Sequence, residues 1–204
     1  MYLGVREIFK RYWDNYGGMK ALLSSFYLHI SLVLTAITFP IWSKEDWWEQ
    51  VLGILPNLLG FTIGGFTLFL GIGSEKFRAK LAQKQEDGSS ILIQISASYV
   101  HFIVVQTIAI FSAIVAQATY SPTPVCIIDW LHANHIDPVV FFSYLRIAGW
   151  GLSYLMFLYA LMLILAACMA VFRTASWSEE SPPPITTNKF KNLKQRPTRR
   201  TRSR

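Results

Sequence analysis

The chain has 204 residues, 52% of them apolar, and a formal net charge of +7. That is about one domain's length, and the apolar residues are gathered into long uncharged blocks instead of being interleaved with charge. Four successive blocks each exceed the roughly 18 to 20 residues that cross a bilayer, a pattern that argues against a water-soluble globular domain.

Residues 1–20 carry YLGVREIFKRYWD, with Val5, Phe9, Tyr12 and Tyr16 near one helical face and Arg6, Lys10 and Arg11 on another. This predicts an amphipathic interfacial helix, its aromatic side toward acyl chains and its basic side toward anionic headgroups, ended by NYGG. A first span is predicted over 21–43, an outer loop over 44–50 and a second, glycine-rich span over 51–74. In the cytoplasmic loop 75–90, EKFRAKLAQKQ prolongs the second helix before EDG ends it. The third uncharged block is too long for one span, so the helix is placed at 91–118, with an outer loop over 119–138. The fourth span covers 139–173. Residues 174–204 form a basic cytoplasmic tail, with few apolar residues and several prolines, expected to be disordered. The fold class expected is an all-α, four-transmembrane-helix bundle.

The basic residues give the orientation. Arg6, Lys10, Arg11 and Lys20 precede the first span, and Lys76, Arg78, Lys80 and Lys84 lie between the second and third. Arg173 and eight more follow the fourth, so seventeen of the nineteen Lys and Arg fall on one side. By the positive-inside rule that side is cytoplasmic. A multi-pass protein of the cell inner (plasma) membrane with both termini inside is expected, its first span an uncleaved anchor. Trp42, Trp47, Trp48, Tyr120, Trp130 and Trp150 gather at the outer boundary, as an aromatic belt would. Cys126 and Cys168 fall near opposite ends of the bundle, too far apart to pair within one chain.

The second span asks why a membrane helix should hold so many glycines, each costing roughly 1 kcal/mol against alanine. At ~100° per residue, Gly53, Gly60, Gly64 and Gly71 fall in a sector of about 40°, with Asn57 and Thr67 close to it and Leu55, Phe66 and Phe69 pointing away. Such a stripe lets a neighbouring backbone approach closely, and Gly60-x-x-x-Gly64 has the familiar spacing. Two readings stand open. The stripe packs inside one bundle, or it is the contact of an oligomer in which Asn57 and Thr67 line a path. Phe66, on the opposite side, is expected to face lipid or loose packing.

Polar groups within the spans are His29, Gln94, Ser98 and His101, with Ser112 sharing the side of Gln94, Ser98 and His101. An intramembrane histidine is a relay candidate by default, although a neutral histidine bonded to Ser or Gln is an ordinary bundle contact. Arg146, near the outer end of the fourth span, reads as a snorkelling side chain. Asp129, His132 and His135 have the spacing of neighbours on one helical face and could hold zinc or copper. Solvated loop side chains are the preferred reading, with no metal or other cofactor expected. No motif for a nucleophile with its base, a phosphate loop or a metalloprotease is present, so an enzyme is not expected. In the tail, Lys189, Lys191, Lys194, Arg196, Arg199, Arg200, Arg202 and Arg204 would meet the anionic inner leaflet at ~1 kcal/mol each. A regulatory protein or nucleic acid is the alternative partner.

By this plan, and by the glycine-rich LLGFTIGGFTLFLGIG, the chain resembles small four-span bacterial inner-membrane effector proteins of phage-defence and retron systems. The resemblance lies in topology, and no functional residue is carried over from it. It implies an effector in antiviral defence, held silent until it assembles or opens and permeabilises the membrane. The rival expectations are a structural or accessory subunit packing against another membrane protein and, third, a proton-linked transporter working through His29 or His101.

Overall fold

Apolar segments leave their backbone amides no solvent to bond, so hydrogen bonds must close within each segment, and helices do this. A computed structural model describes residues 2–71, 75–85, 88–120, 125–135 and 137–179. Among these the regular elements are helical: α1 (Tyr2–Tyr16), α2 (Gly18–Leu23), α3 (Phe26–Ile37), α4 (Phe39–Trp42), α5 (Trp47–Gly71), α6 (Glu75–Leu81), α7 (Ile91–Ala118), α8 (Val125–Ala133) and α9 (Pro138–Glu179). Three of them, α5, α7 and α9 over Pro138–Arg173, are long and apolar enough to cross a membrane.

Helices α7 and α9 form the centre: α7 packs on both α9 and α5, α3 lies along α9, and α1 lies on α7. Small residues make this close approach possible. Ala109 and Ala113 of α7 and Ala160 of α9 are fully buried in the core, with the four-residue spacing through which helix backbones draw together.

The predicted first span is not one helix. It is divided into α2, α3 and α4, and α3 at 12 residues is too short to cross alone. Two local causes are visible. Ser25 is extended at ψ 119 and restarts the chain as the N-cap of α3. Further on, Pro40, without an N–H, falls in the first turn of α4. The indole of Trp42 donates to Thr35 O at 2.7 Å, satisfying a carbonyl near the α3 end. Trp42 in turn lies against Gly151 of α9, where an added Cβ would come 2.9 Å from the ring.

Four rings of the expected aromatic belt pack inward instead of lying open at the surface. Trp42, Trp47, Trp48 and Trp150 are buried in the core, where Trp48 meets Trp150 edge to face at 5.5 Å and Trp47 meets Tyr154 at 5.6 Å. Trp130 and Tyr120 are the members that remain exposed. Arg146 lies over the Trp150 ring, 5.1 Å from its centroid, a cation–π contact that gives the charge a protein partner. The fourth helix runs past the predicted 139–173 at both ends.

Helix α1 ends as expected at the glycines. Gly17 and Gly18 have φ of 103° and 63°, and a Cβ on Gly17 would also meet that of Ala21 at 2.8 Å. Its aromatic side, however, does not simply face acyl chains. Val5 and Phe9 are exposed, whereas Tyr12 is buried against α7.

Candidate functional site

The glycine face of α5 and a polar cluster at His101 are two candidate features among the described residues. On α5, Val51 and Leu55 are fully buried, and Phe66 and Phe69 stack on Tyr99 of α7 with centroids 5.2 and 5.8 Å apart. These residues define the inward side. Gly53, Gly60, Gly64 and Gly71 lie opposite, and a Cβ built on any of them would meet nothing within 4 Å. Among the described residues the stripe therefore takes no part in packing within the chain. Phe66, expected to face lipid or loose packing, is partly buried and packs against the core, because the pairing of α5 with α7 brings Tyr99 beneath it. Asn57 and Thr67 are exposed beside the glycines. Asn57 donates to Gly53 O at 3.3 Å and Thr67 to Ile63 O at 2.9 Å, so each has a hydrogen-bond partner within its own helix.

His101 is 3% exposed and both ring nitrogens are engaged. Tyr12 Oη lies 2.9 Å from Nδ1 and Tyr159 Oη 3.2 Å from Nε2. The Tyr16 ring stacks on the imidazole at 3.8 Å, and its hydroxyl is 3.4 Å from that of Tyr159. A neutral imidazole has one donor and one acceptor, and either tautomer satisfies the set: one tyrosine donates to the ring and the other accepts from it. Burial, then the neighbouring Tyr159, pushes the Tyr12 phenol up to about 12. Burial first, then the hydrogen bond with Tyr159, pushes Tyr16 up as well. The cluster is therefore a neutral polar clasp fixing α1 to α7 and α9. Its tyrosines were not legible in the sequence: Tyr12 and Tyr16 read as acyl-facing, and nothing in the pattern around Tyr159 set it apart. A second polar contact, also missed, joins α7 to α5: fully buried Gln106 donates to Thr62 Oγ1 at 3.1 Å. The rule that drew attention to His101, a polar group inside an apolar span, would have found it.

The other expected polar residues do not converge on His101. Gln94 donates to Ser89 Oγ at 2.8 Å, Ser98 to Gln94 O at 3.1 Å and Ser112 to Ala109 O at 2.9 Å. His29 is on the exposed side of α3. Asp129 and His132 are exposed on α8, which ends at Ala133. His135 follows in a left-handed turn at φ 58°, so the face that would align all three is broken, and no metal-holding group occurs among the described residues. The basic residues of 189–204 lie outside the described residues. Compared with protein families, curated proteins and solved structures, the chain shows no match.

Proposed function

We propose that the chain is a four-crossing protein of the inner membrane, both termini cytoplasmic, that self-associates through the glycine face of α5 into a membrane-permeabilising pore. The observation that carries this reading is the emptiness around Gly53, Gly60, Gly64 and Gly71, opposite the core side of their own helix. A second backbone can approach there without disturbing the fold, and close van der Waals packing drives association where lipid offers no hydrophobic gain. Asn57 and Thr67 on the same side offer polar groups to a path between copies. A defence effector held silent until it assembles fits this arrangement. Residues 189–204 then contact the anionic inner leaflet, a regulatory protein or nucleic acid.

Two observations favour four crossings over three. Ser25 and Phe26 share a cavity with Ala170 and Arg173, whereas Trp42 lies against Gly151. The broken segment thus travels roughly 28 Å along α9, close to a hydrocarbon core of ~30 Å. Were it not to cross, the four N-terminal basic residues would leave the cytoplasmic side and the seventeen of nineteen would fall to thirteen. A His101 transport pathway is disfavoured by the two tyrosines that occupy its nitrogens.

The test uses a chain with Cys126 and Cys168 replaced by Ser, carrying Gly64→Cys or, as control, Phe111→Cys on the exposed side of α7. In liposomes, Gly64→Cys is expected to cross-link to itself and Phe111→Cys not, with the uncross-linked protein releasing entrapped ions. Equal cross-linking at both positions removes the association. Cross-linking only to another protein in native membranes makes the chain an accessory subunit instead.

A further inference from the structure

A cavity of about 600 Å³ opens beside α9, and its walls come from the first three helices together with α7 and α9. It lies beside the break at Ser24 and Ser25. Between α2 and α3 the chain is not helical, and the side chains facing the gap from α2 and α9 include Ala21, Ala166 and Ala170, too small to fill it. Its walls also carry Phe26, Phe102 and Leu163, while Arg173 and Ser176 stand toward one end. Two features decide what it can hold. From Arg173 to Leu163 along α9 is roughly 15 Å, half of a ~30 Å hydrocarbon core and so the depth of one leaflet. The charged end falls on the side where the basic residues gather, the side on which anionic lipids concentrate.

We infer that this cavity binds one acyl chain of an anionic glycerophospholipid, with the phosphate at the Arg173 guanidinium. A guanidinium meets phosphate oxygens through a planar fork of donors, and the apolar walls replace the lipid neighbours the chain would otherwise have. A bound acyl chain would fill the gap left by the discontinuous first span, making lipid a structural part of the α3–α9 side. The inference rests on the membrane reading above but not on self-association, since α5 contributes nothing to the walls.

The test compares full-length protein extracted in mild detergent from vesicles of equal phosphatidylglycerol and phosphatidylcholine, with retained lipid counted by native mass spectrometry. The unaltered chain is expected to keep one phosphatidylglycerol per copy, preferred about tenfold. Ala170→Trp, which fills the cavity, should lower retention at least tenfold relative to Leu152→Trp on an exposed part of α9. Because Ala170→Trp can also disturb folding, Arg173→Gln gives an independent reading at an exposed site. It should keep a bound lipid but bring the phosphatidylglycerol preference to near one. Equal retention in the two tryptophan variants, both cooperatively folded, or an undiminished preference in Arg173→Gln, overturns the inference. Release of the chain from vesicles by alkaline carbonate would instead overturn the membrane reading itself.

Discussion

The Tyr12 hydroxyl lies 2.9 Å from Nδ1 of His101, joining the N-terminal helix to the middle of α7. The phenol is 9% exposed and the imidazole 3%, so neither group has water to fall back on when the other is removed. Stranding a buried polar atom costs about 1–3 kcal/mol. Tyr12→Phe keeps the ring and deletes only the bond, and the loss should appear as looser docking of α1. Amide exchange over Tyr2–Tyr16 is expected to accelerate about tenfold while the middle of α7 and α9 stays protected. Phe9→Leu, at a ring that is 54% exposed, should leave exchange unchanged. Equal behaviour of the two variants would mean that the clasp does not hold α1.

The same contact sets a pH limit. Tyr12 titrates near 10 when free and is pushed up to about 12 when docked, by burial and then by Tyr159. The docked state therefore binds the phenolic proton more tightly. Its contribution is complete below pH 10 and is lost as pH rises from 10 through 12. Tyr16, raised by burial, works in the same direction. A spin label at exposed Ile8, introduced as Ile8→Cys in a background with Cys126 and Cys168 replaced by Ser, should report a docked helix from neutrality to pH 10 and an increasingly mobile one as pH rises from 10 through 12. A transition centred below pH 9 would assign the release to another group.

Gly64 and Phe66 provide a paired test on one helix. Leu at Gly64 enters open space, where an added Cβ meets nothing within 4 Å, so the chain's own unfolding temperature should hold while α5 cross-linking and ion release fall at least tenfold. Phe66→Leu instead removes a ring stacked on Tyr99 at 5.2 Å. It should cost the fold about 1–2 kcal/mol with association retained. Reversal of these two patterns, with Gly64→Leu unfolding the chain and leaving assembly intact, would place the stripe inside the bundle.

What the sequence disclosed followed from periodicity and solvent. Long uncharged blocks had to be helices, and the bounds 91–118 of the third span coincide with α7. The stripe on α5 was legible because glycine is distinguished by what it lacks at a fixed angular position. Its direction was not, since one helix in isolation cannot say which neighbour it meets. That depended on Phe66 and Phe69 finding Tyr99. The His101 clasp was hidden for a similar reason. Tyr12 and Tyr159 are distant in the chain, and an amphipathic ring serves equally well against acyl chains or a buried histidine. The break of the first span was signalled only weakly, by Pro40 and by Ser24 and Ser25, residues that transmembrane helices also tolerate.

The break has its own point of attachment, at Trp42 and Gly151. A Cβ on Gly151 would lie 2.9 Å from Cη2 and 3.2 Å from Cζ3 of Trp42. The ring cannot retreat freely, because its Nε1 donates to Thr35 O at 2.7 Å. Gly151→Ala gains about 1 kcal/mol of helix propensity in α9. Against this stand overpacking, at about 1–3 kcal/mol, and a weakened bond to Thr35, at about 1 kcal/mol. The net expectation is destabilisation by about 1–3 kcal/mol, measured by thermal unfolding followed by circular dichroism in detergent. Trp42→Leu alone should also destabilise, by loss of the ring and its hydrogen bond. Combining it with Gly151→Ala removes the clash, so the double variant should be more stable than the two single losses predict, with a coupling of about 1–2 kcal/mol. Strict additivity would show that Trp42 does not hold the discontinuous segment against α9.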